Sequence, residues 1–270
     1  MKIAALQMVS ATRVDANLDT ARRLIAQAAG DGAGLVALPE YFCLMGRAER
    51  DKLAIAEAPG DGPIQRMLAD AARAHGVWVI GGTLPLRSHD PDRVLNANAV
   101  YAPDGSLAAR YDKIHLFRYD NGHERYDEGA AILAGDTPTA LDAGGLRVGL
   151  SVCYDLRFPE LYRGLMDPPC DLLSVPAAFT HTTGLAHWEL LLRARAVENQ
   201  CYVIAPAQGG VHENGRRTFG HSMIVDPWGD VLAVRDAGEG VVMAELDPAR
   251  IASVRSQLPA LQHRRAPKRA

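Results

Sequence analysis

The chain has 270 residues, 48% hydrophobic and 23% charged, with a formal net charge of −3. This is globular composition, long enough for one large α/β domain or two small ones. The slight acidity excludes a chain-wide attraction to nucleic acid or anionic membrane, and no stretch approaches the apolar length of a bilayer span. The opening MKIAALQMVSATRVD shows neither a long apolar targeting segment nor a small-residue cleavage site. Four cysteines, Cys43, Cys153, Cys170 and Cys201, are scattered without a CxxC pair, which favours a reducing, cytoplasmic setting.

Taken in chain order, Ile3–Val9 is apolar enough for a buried strand, and 17–29 follows as a helix with Leu18, Ala21, Leu24, Ile25 and Ala28 at helical spacing. LVALPE is a short strand that stops at Pro39 and leaves Glu40 at its carboxyl end. Pro63 opens a second helix that Gly76 ends, and VWVIGG supplies a third strand. NANAVYAPDGSLAARYDK reads as a hairpin around Pro103, Asp104 and Gly105. The polar stretch from Lys113 to Pro138 lacks periodicity, and loops of that length inside domains are commonly functional.

LRVGLSV then forms a strand that delivers Cys153 to its end, followed by a helix through Leu161 to Met166. Next come the strand DLLSVPAAF, the helix HWELLLRARAVENQ and the strand CYVIAPAQGG. A second hairpin, GHSMIVDPWGDVLAVRD, the strand VVMAELD and a helix over 248–255 complete the pattern. Two hairpins separated by α/β units suggest two sheet layers with helices outside and approximate internal symmetry. No linker divides residues 1–264, and 265–270 is a basic tail that reads as solvated.

A thiol at the outlet of a buried strand, beside a helix start, is a candidate nucleophile, because backbone N–H groups and the helix dipole favour its thiolate. Acyl transfer also needs a base, an acid for the leaving amine and donors for the oxyanion. Glu40 and Lys113 stand at strand ends that can converge with Cys153 on one sheet edge. The Tyr154 N–H, next after the nucleophile, is a candidate oxyanion donor.

ALPEYF around Glu40, YDKIHLF around Lys113 and SVCYDLRFPEL around Cys153 resemble, in order and spacing, three signature segments of the nitrilase, or carbon-nitrogen hydrolase, superfamily. The resemblance runs to about Arg264. It implies an αββα four-layer sandwich and a triad of acylated Cys153, general base and acid Glu40, and oxyanion-stabilising Lys113, working through a thioester without cofactor or metal. A second glutamate between the Lys and Cys motifs is implied at Glu128, with Glu124 the competing position. Homodimers or larger assemblies are implied too, packed through the helix after the nucleophile, here LYRGLM.

HWELLLRARAVENQCYVIAPAQ and GHSMIVDPWG resemble the small-amidase branch that includes deaminated glutathione amidase and ω-amidase. AQGG and HENGRRTFGHS favour the former pattern. The expected reaction is a repair hydrolysis of a 2-oxo acid amide, releasing 2-oxoglutarate and cysteinylglycine, with 2-oxoglutaramate, other aliphatic amides or N-carbamoyl amino acids as alternative substrates. Such a substrate is anionic, and Arg157, Arg193 and Arg195 are the cations on offer. An Asp155–Arg157 ion pair is the expected structural role of those two residues. Three further readings stand beside this one. A Cys–His mechanism would draw on His115, His187 or His221, although His115 reads as a core histidine on an apolar strand. A metal site would have to use His181 and His187, which are not at zinc spacing. A catalytically idle scaffold subunit is the non-enzymatic alternative.

Overall fold

Ile3 and Ala5 lie on one face of the first strand, Ala4 and Leu6 on the other, and all four are buried. A strand buried on both faces needs a layer on each side, which sets the architecture. The computed structural model describes residues 1–265. Its elements run β1 (Lys2–Gln7), α1 (Val14–Gly30), β2 (Leu35–Ala37), α2 (Asp51–Ala54), α3 (Pro63–His75), β3 (Trp78–Ile80), β4 (Leu84–Arg87), β5 (Val94–Tyr101) and β6 (Leu107–Asp112). A small hairpin, β7 (Arg118–Asp120) and β8 (Arg125–Asp127), and then β9 (Ile132–Leu133) lead to β10 (Ala140–Ala143), β11 (Leu146–Leu150), α4 (Pro159–Gly164) and β12 (Leu172–Ser174). The chain continues through α5 (His181–Asn199), β13 (Tyr202–Ala205), β14 (Ser222–Val225), β15 (Val231–Arg235), β16 (Gly240–Glu245), α6 (Pro248–Gln257) and α7 (Ala260–His263).

One sheet has the order β16-β1-β2-β3-β5-β4, with β6 and β9 also paired to β5, and the other runs β10-β11-β12-β13-β14-β15. Each contains three adjacent parallel strands, β1-β2-β3 and β11-β12-β13, bordered by an antiparallel one, β5 or β14. Ile3, Ala5, Leu35 and Ala37 pack in one core with Val148, Leu150 and Leu173, so the sheets lie face to face. The opposite face of the first sheet, Ala4, Leu6 and Val36, packs on Leu24 and Ile25 of α1 and Leu68 of α3. Trp188, Leu192 and Ala196 of α5 join the core on the far side. The layers are therefore helix, sheet, sheet, helix, the αββα sandwich that the resemblance implied.

Several boundaries differ from the sequence reading. Helix α5 starts at His181, six residues before His187, because Thr180 caps it by accepting from the Thr183 N–H at 3.3 Å. After Cys153 the chain makes a 3-10 turn, Cys153–Arg157, and α4 ends at Gly164 rather than Met166. The aperiodic stretch after Lys113 holds the β7–β8 hairpin, a 3-10 turn at Glu128–Ala130, and β9. Strands β4 and β10 had no counterpart in the sequence reading. The tail at 265–270 lies outside the described residues, Arg265 excepted. Among the described residues no helix is long and apolar enough to cross a membrane.

Candidate active site

Glu40, Lys113 and Cys153 each follow the carboxyl end of a strand, β2, β6 and β11 respectively, where open α/β sheets place their sites. Two glycines allow the segments to approach. At Gly82, with φ of 61°, an added Cβ would lie 2.1 Å from Pro39 O, just before Glu40. At Gly135 it would lie 2.3 Å from Asp112 O, and the Gly135 N–H donates to Lys113 O at 2.9 Å. Cys153 itself has φ of 49°, so the chain turns sharply at the sulfur.

The three side chains meet. Lys113 Nζ, fully buried, donates to Glu40 Oε1 at 2.8 Å and to Glu128 Oε1 and Oε2 at 2.9 and 2.8 Å. Glu40 Oε1 also accepts from Asn96 Nδ2 at 3.0 Å, and its Oε2 accepts from the Ala178 N–H at 3.1 Å. Glu128 accepts from the Tyr41 hydroxyl at 2.6 Å and the Phe117 N–H at 2.7 Å. Glu124 lies apart, accepting from Thr182 Oγ1 at 3.2 Å. It is Glu128, then, that shares the ammonium with Glu40.

Burial alone would lower the Lys113 pKa, but the Glu128 and Glu40 charges outweigh it and hold the pKa above its ordinary value. Burial likewise pushes Glu128 up, yet Lys113 and the hydrogen bonds it receives bring its carboxyl below the usual range. Both remain charged at neutral pH. Cys153, 7% exposed, opens into a cavity that Glu40, Phe117, Glu128 and Tyr154 help to line. Burial and then the Glu40 charge raise its thiol well above the ordinary value, against the pull of Lys113. The expectation of a thiolate favoured by a helix terminus is thus corrected: burial and the Glu40 carboxylate favour the thiol.

Asp155 holds the turn. Fully buried, it accepts from the Val152 N–H at 2.8 Å, the Tyr111 hydroxyl at 2.7 Å and the His115 N–H at 3.0 Å, and lies 2.7 Å from His115 Nδ1. The expected Asp155–Arg157 pair is therefore not made, because Asp155 ties the cysteine turn to the Lys113 segment instead. Nor is His115 a core residue on a strand; it is partly exposed, past the end of β6, and stacks on Phe158 at 3.7 Å between ring centres. Arg157 lines the cavity with Nη1 3.3 Å from His187 Nδ1. Arg193 bonds Gly229 O and Arg195 bonds Leu156 O and Glu198, and neither reaches the cavity. No histidine lines it among the described residues. The Cys153 N–H donates to Pro176 O at 2.8 Å, which leaves Tyr154, on the cavity wall, as the oxyanion candidate.

Sequence reasoning missed Tyr41, Asn96, Ala178 and Arg216. Asn96 had a signal, an amide in the alternating strand NANAV whose neighbours are apolar. The backbone N–H of Ala178 had none.

A buried thiol, carboxylate and ammonium at the strand ends of an αββα sandwich define a class of acyl-transfer hydrolase. The chain belongs to the carbon-nitrogen hydrolase family, whose profile matches residues 2–256. It is similar to the deaminated glutathione amidase of Synechocystis sp. (strain PCC 6803 / GT-S), 45% identical over 269 residues and 97% of each chain. The crystal structure of the Caenorhabditis elegans NitFhit protein matches at a TM-score of 0.91 and 38% identity, covering 98% of this chain; this chain spans 65% of that one. Saccharomyces cerevisiae Nit3, described as a member of branch 10 of the nitrilase superfamily, matches at 0.87 and 30% identity, over 96% of this chain and 94% of that one. The chain is an enzyme, a carbon-nitrogen hydrolase.

Proposed function

We propose that Cys153 is the nucleophile of an amidase in which Glu40 moves the proton, Lys113 and the Tyr154 N–H hold the oxyanion, and Glu128 fixes Lys113. The observation that carries this reading is the Lys113 ammonium shared by two buried carboxylates next to the sulfur. Glu40 takes the thiol proton as sulfur attacks the amide carbon, and the carbonyl electrons move to oxygen. Collapse of the tetrahedral species expels the amine, which takes the proton from Glu40 and leaves a thioester. Water then gives a proton to Glu40, attacks the thioester and releases the acid and the free thiol. Glu128 keeps the ammonium in place through both steps, so the stabilising charge needs no reorganisation.

The substrate reading is a 2-oxo acid amide, deaminated glutathione, hydrolysed to 2-oxoglutarate and cysteinylglycine. Full-length similarity to a protein of that name supports it, as does Arg157, a cation on the cavity wall for a substrate carboxylate. Free space at the sulfur is enough for about one water. Residues 1–264 act as a single domain, and four free, buried cysteines suit a reducing, cytoplasmic compartment. The outer side of α5 exposes Leu190 and Val197, with Leu185 near its start, which supports a homodimer packed there. In LYRGLM, by contrast, Leu161, Tyr162, Leu165 and Met166 are buried in the chain's own core.

A substrate panel tests the assignment: deaminated glutathione, 2-oxoglutaramate, a simple aliphatic amide, an N-carbamoyl amino acid and a nitrile. Deaminated glutathione should have the highest kcat/KM, by about tenfold or more. Preference for the N-carbamoyl compound would overturn the substrate and leave the chemistry standing.

A further inference from the structure

Two guanidinium groups face the cavity of Cys153, and neither has a carboxylate partner among the described residues. Arg157 shares the turn of the sulfur and lies over the rings of Phe179 and Tyr154, at 5.5 and 5.9 Å. Arg216 comes from a different segment, the loop between β13 and β14. Its Nη2 donates to Ala178 O at 3.1 Å, its guanidinium carbon lies 5.0 Å from the Tyr126 ring centre, and Nη1 reaches Met45 Sδ at 3.8 Å. Its Nε is buried without a partner. These contacts orient the group but leave its charge unneutralised. A half-buried guanidinium held by a carbonyl and two soft neighbours is arranged for an incoming anion.

Its position says which part of the substrate carries that anion. The Ala178 N–H donates to Glu40 Oε2, and the Ala178 carbonyl accepts from Arg216. A single residue thus separates the guanidinium from the carboxylate that protonates the leaving nitrogen. A leaving nitrogen placed to take the Glu40 proton would have its substituent within reach of Arg216.

We propose that Arg216 binds a carboxylate on the departing amine and so selects peptide-like leaving groups over ammonia. The inference rests on the Cys153–Glu40 mechanism and the 2-oxo acid reading given above. It makes Arg216 a specificity-determining residue, in the stretch HENGRRTFGHS that no step of the chemistry uses.

The test compares three 2-oxoglutaryl amides on the full-length enzyme: one whose amine is cysteinylglycine, the same compound with its terminal carboxylate converted to a carboxamide, and 2-oxoglutaramate. For the wild type, converting the carboxylate should lower kcat/KM about 10- to 100-fold, the effect of one charge-assisted hydrogen bond. In Arg216→Gln that discrimination should shrink to within about twofold, as a double-mutant cycle requires, and Arg216→Lys should retain part of it. Because the wild-type comparison changes only the substrate, it does not depend on the variants folding. Equal turnover of carboxylate and carboxamide by the wild type overturns the inference, and so does undiminished discrimination by Arg216→Gln. Turnover of simple or N-carbamoyl amides with none of the three compounds hydrolysed brings down the substrate reading first and this inference with it, a pattern unlike either of the other failures.

Discussion

Burial and the neighbouring Glu40 charge favour the protonated form of Cys153, and the proposed mechanism accordingly relies on Glu40 as base rather than on a pre-formed thiolate. Removing the Glu40 charge removes one of the causes that raise the thiol. In Glu40→Gln the ultraviolet thiolate titration should therefore move to lower pH, while amide hydrolysis falls by about 10²- to 10⁴-fold. Activity that largely persists would point to another base. Glu128 carries a pH signature of its own, since its carboxyl sits below the ordinary 4.5. A depressed carboxyl contributes stability above its unfolded pKa and loses that contribution as pH falls through the folded one. The difference in thermal stability between wild type and Glu128→Gln should accordingly close on acidification below about 4.5. At this scale Glu40, Lys113 and Cys153 were marked by their motifs, and Glu128 only by the loop position that the resemblance implies, with Glu124 as its rival. Tyr41 and Ala178 were not, because a hydroxyl reaching 87 residues along the chain and a backbone N–H reaching 138 leave no mark on local composition.

The 3-10 turn Cys153–Arg157 is where local and tertiary structure meet. Backbone φ of 49° at Cys153 is held because Asp155 ties the turn both to Val152 and to the segment after β6. Asp155→Ala leaves the Val152 and His115 N–H groups and the Tyr111 hydroxyl without their acceptor. It should cost at least about 3 kcal/mol of stability, read from denaturant unfolding, and lower kcat more than it raises KM. Loss of stability with kcat intact would mean that the turn keeps its geometry unaided. Among the elements, α3 and the β5–β6 hairpin were readable because Pro63, Gly76 and the Pro-Asp-Gly turn announce their ends. The start of α5 was not, since Thr180 caps it ahead of the apolar run that attracted attention. β9 was hidden as well, because a two-residue strand exists only through its pairing with β5.

At the scale of the whole molecule, two sheets of similar topology place their strand ends around one cavity and leave an apolar face on α5. Leu190 and Val197, which share the outer side of α5, are 66% and 49% exposed, and Leu185 near its start is 72% exposed. The homodimer proposed above predicts that the wild type sediments as a dimer and that Leu190→Glu, alone or with Leu185→Glu, sediments as a monomer; a monomeric wild type would overturn the dimer, and a variant that stays dimeric would move the interface elsewhere. Two sheet layers were legible from the two hairpins separated by α/β units, and the four-layer αββα sandwich from the family resemblance; that strands such as β1 are buried on both faces is seen only in the fold. The central claim remains that one sulfur carries the acyl group. Acid-quenched wild-type enzyme, sampled by peptide mass spectrometry during turnover of deaminated glutathione, should show a 2-oxoglutaryl thioester on the peptide containing Cys153, and Cys153→Ala should show neither adduct nor hydrolysis. Steady hydrolysis by Cys153→Ala, or an acyl group found only on another residue, would contradict the account.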